Sequence, residues 1–376
     1  MDPLVPRYGT GSLSDVVPSL LAGLGVPGAT DVLGLSGPAR VCVLLVDGLG
    51  RRLLREHEDD APFLASLAGP GITAGFPATT ATSLAALGTG APTGEHGLVG
   101  YSFEAGGEVL NTLGWSRYGV PERVDLREHL VPESVQPRPT AFETAAAAGV
   151  AVRLVLPREQ QGSGLTRAVL RGGRFDGVLG FGDLVGRVAE ALRSADRVLC
   201  YAYHPDLDAL GHVYGPGSKP WRWQLRFVDR VAEAIASELP PDGALVVTAD
   251  HGMVTVGERI DLDTSDELRE GVRALAGEAR VRHVYAEQPE RVRERWLSVL
   301  GEKVWLASRA EAVEAGWFGP RVAGHVLPRI GDLVVAARGG LALVRTEAEP
   351  HMTTFTGHHG SLTAVEQEVP LLVARG

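Results

Sequence analysis

Residues 40–50 read RVCVLLVDGLG: six consecutive apolar residues after Arg40, closed by Asp47-Gly48. A run of this length without polar alternation is the pattern of a strand covered on both faces, as in a parallel sheet, and it puts Asp47 at the carboxyl end. Residues 243–253, GALVVTADHGM, repeat the pattern with Asp250 and His251 at the tip. A third copy lies in residues 197–212, RVLCYAYHPDLDALGH, with acidic residues and a histidine after the apolar run. Between these runs stand helical stretches: TATSLAALGTG (80–90), PTAFETAAAAG (139–149) and WRWQLRFVDRVAEAIASEL (221–239). Alternating strands and helices predict a three-layer αβα sandwich around a mostly parallel sheet. Ligands of such sheets gather beyond the carboxyl ends of the strands, where each of these polar clusters falls.

The texture changes between Val256 and Arg345, where short strand and helix patterns follow one another. We read residues 1–255 as a catalytic core, 256–345 as an inserted cap, and 346–376 as the return to the core through FTGHHGSLTAVEQEVPLLVARG (355–376). Because the cap leaves and re-enters between two polar clusters, it is expected to line the leaving-group side of a site, with Trp305, Trp317, Phe318 and Arg329 as candidate contacts. No repeat of a 20–50-residue period is present.

Composition narrows the class. With 44% hydrophobic and 22% charged residues the chain of 376 is globular. Its formal charge of -10 argues against a nucleic-acid polymer as partner, while leaving a small anionic substrate open. Cys42 and Cys200 each sit in an apolar run and read as core thiols, not a disulfide framework. No secretory pattern opens the chain, and no window reaches the ~18 apolar residues of a membrane span, so the expectation is a cytoplasmic protein without membrane attachment.

The residues able to do chemistry lie at the strand ends. Asp208-x-x-x-His212 places an oxygen and an imidazole one helical turn apart, enough for one edge of a zinc site, with Asp206 as the rival carboxylate. Asp250 and His251 are adjacent, so both reach one ion only beyond the regular strand, where Gly252 permits irregular backbone. In the pair His358-His359, set between glycines, at least one histidine reads as a ligand. In FPATTATSLAALGTG, the hydroxyls of Thr79, Thr80, Thr82 and Ser83 fall where a loop enters a helix. Helix-start amides favour a bound phosphate, and capping accounts for one threonine but not the cluster. Carboxylates, imidazoles and a hydroxyl together suit two Zn²⁺ ions acting on a phosphate ester.

The set Asp47-Gly48, Pro77-Ala78-Thr79-Thr80, Asp208-x-x-Gly211-His212, Asp250-His251-Gly252-Met253 and Gly357-x-His359-Gly360 resembles the alkaline phosphatase superfamily. Within it the likeness is to nucleotide pyrophosphatase/phosphodiesterases and phosphonoacetate hydrolase, over residues 40 to 376. The resemblance implies one zinc on Asp208, His212 and His359, activating water, and a second on Asp47, Asp250 and His251, activating the nucleophile. It implies Thr80 as that nucleophile, and it leaves Mn²⁺ or Fe as possible replacements for zinc. The chain departs from the diesterase branch in two places. Ala81-Thr82-Ser83 replaces Phe-Pro-Asn, and Tyr101 stands where an asparagine donates to a phosphoryl oxygen. Tyr101 and Ser83 are therefore the expected substrate contacts. The arginine clamp of phosphomonoesterases and the C-x-P-x-R context of sulfatases are not found. The reading is a phosphodiesterase or nucleotide pyrophosphatase acting on a small phosphorylated or nucleotide-like substrate. Phosphomonoesterase is the alternative, followed by phosphonate hydrolase or phosphomutase-type transferase. A degenerate metal-binding member is the non-enzyme rival.

Overall fold

A computed structural model describes residues 2–376. Its main strands in chain order are β1 (Arg40–Val46), β2 (Gly71–Thr73), β3 (Ala151–Pro157), β4 (Arg174–Val178), β5 (Val198–His204) and β6 (Gly243–Thr248). The segment after β6 adds β7 (Val272–Glu278), β8 (Val281–Ala286), β9 (Val304–Ser308) and β10 (Leu333–Ala337), and the chain closes with β11 (Glu368–Arg375). One seven-stranded sheet has the order β2-β11-β6-β1-β5-β3-β4. β1 pairs in parallel with β5 and β6, and β3 in parallel with β5 and β4. Only β11 runs against its neighbours β6 and β2. The apolar runs sit at the centre, and every residue of β5 and β6 is buried, as strands covered on both faces must be. Cys42 and Cys200 lie opposite each other on β1 and β5 as free, buried thiols.

Helices cover the sheet in two groups. On one side, α3 (Phe181–Leu192) and α5 (Lys219–Ser237) pack together and against the strands. The buried face of α5 carries Trp221, Leu225, Val228, Val231, Ala232 and Ile235, the spacing of an amphipathic helix. The other group includes α1 (Val16–Gly23) and α2 (Thr80–Thr89), which touch one another. All of α2 is buried. No helix among the described residues is long and apolar enough to cross a membrane.

Strands β7 to β10 form a separate antiparallel sheet in the order β7-β8-β10-β9. Side-chain alternation along β10 shows how it is built in. Leu333, Val335 and Ala337 face a local cluster with Trp296 and Leu300, whereas Val334 and Ala336 join the main core. This sheet is therefore packed onto the main core by one face. Trp317 and Phe318 meet Phe76 edge-on, Arg329 donates to the carbonyls of Gly97 and Val135, and Trp305 lies under Arg338. None of these four candidate contacts reaches the polar strand-end cluster through the interactions it makes; aromatic rings, the Arg338 guanidinium and backbone carbonyls engage them.

Candidate active site

Register brings the pieces together. Val46 lies opposite His204, and Leu45 opposite Thr248, so three neighbouring strands end at one edge. Asp47 follows β1, Asp250 and His251 follow β6, and Asp208 lies on α4 (Asp206–Tyr214), directly after β5. A short antiparallel pair, Val254–Thr255 with Gly357–His358, draws the 357–360 loop beside the end of β6. A Cβ on Gly252 would lie 1.9 Å from the Val365 carbonyl, so only glycine allows this approach.

Two clusters result, each with ligand-type atoms within 4.8 Å of one another: Asp208, His212 and His359, and Asp47, Asp250 and His251. They adjoin, because the rings of His251 and His359 stack with centroids 3.5 Å apart. Asp206 is left out, its side chain 63% exposed and turned toward His204 at 4.0 Å. His358 is left out too, its Nε2 bonded to the Met352 carbonyl at 3.1 Å.

Hydrogen bonds fix which atoms face inward. Nδ1 of His212, His251 and His359 lies 2.8, 3.0 and 2.9 Å from the carbonyls of Gly357, Gly252 and Ala78. A carbonyl only accepts, so each Nδ1 carries the proton and each Nε2 presents a lone pair. Asp47 Oδ1, Asp250 Oδ2 and Asp208 Oδ1 are buried without a hydrogen-bond partner. Their companion oxygens are held: Asp47 Oδ2 accepts from the Tyr203 hydroxyl, and Asp250 Oδ1 accepts from the amides of Gly48 and His251, both at 3.0 Å. Outer groups thus orient Asp47 and Asp250, while Asp208 Oδ2 lies 3.2 Å from His212 Nε2; the oxygens and imidazole nitrogens that remain are donors able to hold metal.

The electrostatics agree. Burial and then the charges of Asp250 and Asp208 push the Asp47 carboxyl well above the usual carboxylate range. Burial and then His251 drive the His359 imidazole well below its ordinary value, against the pull of Asp208. Burial opposes ionisation of Asp208, but the adjoining His212 outweighs it and holds that carboxyl low. Unpartnered carboxylate oxygens buried beside one another are costly, and positive metal charge reverses that cost.

Thr80 opens α2, and its Oγ1 lies 3.4 Å from His251 Nε2. Ser83, one turn on, is fully buried and donates to the Asp250 carbonyl at 2.7 Å, which places its hydroxyl behind the acidic cluster. Tyr101 accepts from the Asn111 amide at 2.7 Å, leaving its own proton free to donate. Two participants escaped the sequence reading. Tyr203 resembled an ordinary core aromatic of the third apolar run. Glu278, at the end of β7, accepts from Thr79 Oγ1 at 3.1 Å and comes within 4.0 Å of His359. Burial raises the Glu278 carboxyl to about 8, with the Thr79 hydrogen bond opposing.

The fold and these two clusters define a phosphoester hydrolase of the alkaline phosphatase superfamily, a metal-dependent class. Residues 41–362 match the family model described as type I phosphodiesterase / nucleotide pyrophosphatase, and the chain belongs to that family. A sequence search among curated proteins returned no match. Among solved structures, murine ectonucleotide pyrophosphatase / phosphodiesterase 5 is similar at 17% identity and TM-score 0.67, covering 90% of this chain and 88% of that one. An inactive threonine-to-alanine variant of that murine enzyme, in complex with AMP, is similar at 17% identity and TM-score 0.67, covering 88% of this chain and 87% of that one. Phosphonoacetate hydrolase from Sinorhizobium meliloti 1021, in complex with phosphonoacetate, is similar at 19% identity and TM-score 0.65, covering 90% of this chain and 91% of that one.

Proposed function

We propose that the protein hydrolyses phosphodiester or pyrophosphate bonds of small nucleotide-like substrates, with Thr80 as nucleophile and two zinc ions as cofactor. The observation that carries the reading is the position of Thr80 Oγ1, 3.4 Å from His251 Nε2 and at the start of a buried helix, beside both clusters. Asp47, Asp250 and His251 would hold one ion, and Asp208, His212 and His359 the other. When bound, the ions supply positive charge that lowers the pKa of a nearby hydroxyl or water and offsets phosphate charge.

Thr80 Oγ1 attacks phosphorus, the bond to the leaving oxygen breaks, and a phosphothreonine ester results. Water then cleaves the Oγ1–P bond and returns the hydroxyl. The first amides of α2 and the free Tyr101 proton serve the phosphoryl oxygens. Ser83 supports Asp250 from behind and is not a substrate contact in this reading. A cavity of about 340 Å³, lined by Pro157, Arg158, Phe181, Tyr203, His204 and Asp206, adjoins the clusters through Tyr203 and suits an organic group on the phosphate. The loss of activity on threonine replacement in the murine relative also supports a threonine nucleophile.

The test is zinc-loaded protein against paired aryl phosphate monoester and diester substrates. Metal analysis should give close to two ions per chain, and the diester should turn over faster. Thr80→Ala should lower turnover by roughly 10³-fold or more with metal content unchanged. Full turnover by Thr80→Ala overturns the covalent mechanism, and faster monoester turnover overturns the substrate class.

A further inference from the structure

Five of the seven α-helices that begin on a serine or threonine show what a hydroxyl does at a helix start; the two exceptions are Ser218, whose hydroxyl has no partner among the described residues, and Thr79. Thr140, Ser163, Ser265, Ser308 and Thr363 each accept a hydrogen bond from the backbone amide three residues on. Such a bond satisfies one of the amides a helix leaves free at its start. Thr79 occupies the same position before α2, with ordinary extended dihedrals (φ -136°, ψ 151°), yet its side chain makes no capping bond. Its hydroxyl donates to Glu278 Oε2 instead. The amides of Thr80, Ala81 and Thr82 have no acceptor among the described residues, and that of Thr82 is the one a Thr79 cap would take.

Glu278 is an unusual group to bury there. Its Oε1 has neither solvent nor a hydrogen-bond partner. Neither nearby arginine forms an ion pair with it: Arg280 is paired with Glu366 and Arg282 with Glu349. Gly360, at φ +135°, admits the carboxylate: a Cβ there would sit 3.0 Å from Oε1. A buried carboxyl with an unpartnered oxygen costs stability, so its presence points to another use.

We propose that Glu278, delivered by the inserted sheet, keeps the start of α2 open for the phosphoryl group by holding the Thr79 hydroxyl out of the capping position. Without Glu278, Thr79 turns to accept from the amide of Thr82, as the other five caps do from the amide three residues on, and its oxygen takes the place of a phosphoryl oxygen. Glu278 is thus a positioning residue that acts through Thr79. The inference rests on the proposed phosphoryl site at Thr80.

The test compares Glu278→Leu, Glu278→Gln, Thr79→Val and the double variant Glu278→Leu/Thr79→Val. The readouts are inorganic phosphate affinity of the zinc-loaded protein by calorimetry and kcat/KM on an aryl phosphodiester. Glu278→Leu should weaken phosphate binding by about 10–100-fold, the range for losing hydrogen bonds to a charged group. The double variant should regain most of that loss, because valine has no oxygen with which to cap. Glu278→Gln should also regain most of it, since its amide oxygen still accepts from Thr79. Thr79→Val alone should bind phosphate as the unaltered protein does. A double variant as weak as Glu278→Leu overturns the proposal. So does a loss of phosphate affinity of about tenfold or more in Thr79→Val, and this arm decides the matter even if Glu278→Leu does not fold. Thr80→Ala runs alongside: turnover by that variant refutes the nucleophile assignment, while the phosphate affinities still judge Glu278.

Discussion

Tyr203→Phe isolates how the protein tunes one cluster without touching a ligand. The Tyr203 hydroxyl donates to Asp47 Oδ2, the oxygen turned away from His251. Phenylalanine keeps the buried ring and deletes only that bond. A hydrogen bond to a charged group contributes ~1.5–3 kcal/mol. At ~1.4 kcal/mol per tenfold, this predicts about 10–100-fold weaker metal binding at the cluster of Asp47, Asp250 and His251. Asp208, His212 and His359 receive no bond from Tyr203, so the second site should keep its affinity. Zinc titration against a competing chelator, followed by metal analysis, reads the two sites separately. One weakened ion and one unchanged ion is the expected result. Equal weakening at both sites, or at neither, refutes the reasoning that outer groups orient each cluster independently.

Other substitutions probe different links. Asp208→Ala should remove one metal ion per chain, whereas Asp206→Ala, at an exposed carboxylate, should leave metal content intact; elemental analysis of the two variants decides. Glu366 is fully buried and accepts from Arg280, the Ser361 amide and the Thr363 hydroxyl. Glu366→Ala strands a buried guanidinium and should cost about 3–5 kcal/mol of stability by denaturant unfolding. Hydrogen bonds from Arg222 and Arg226 hold the buried Asp60 carboxyl below its ordinary value, against burial. A lowered native pKa contributes stability above the unfolded carboxylate pKa of about 3.9 and loses it as pH falls through the native value. Asp60→Asn should therefore flatten the acid limb of the stability–pH curve below about pH 4 and leave its slope near neutrality alone.

The sequence was most legible where one physical rule dominates. RVCVLLV admits no polar alternation, so a doubly covered strand with Asp47 at its end follows directly, and the same holds for the runs before Asp208 and Asp250. The direction of β11 was not legible, because an apolar run pairs with its neighbours either way. Glu278 was hidden for a tertiary reason. In VRALAGEARVRHVY it looks like a solvated hairpin residue, and it is buried only because that hairpin tip docks on the Thr79 and His359 loops. The aromatics expected to line a leaving-group pocket were not legible as core residues: Trp317 and Phe318 are buried and meet Phe76 edge-on. Ser83 shows the limit of spacing arguments, since its helical position was right for the site but its hydroxyl reaches the Asp250 backbone.

The central claim is that Thr80 carries the phosphoryl group between two half-reactions. Rapid acid quenching of the zinc-loaded protein during turnover of an aryl phosphodiester, followed by peptide mass spectrometry, tests it most directly. The account predicts a phosphoryl adduct confined to Thr80, formed and lost at rates compatible with turnover. An adduct on Thr79, or turnover without any adduct by a Thr80→Ala protein, contradicts it.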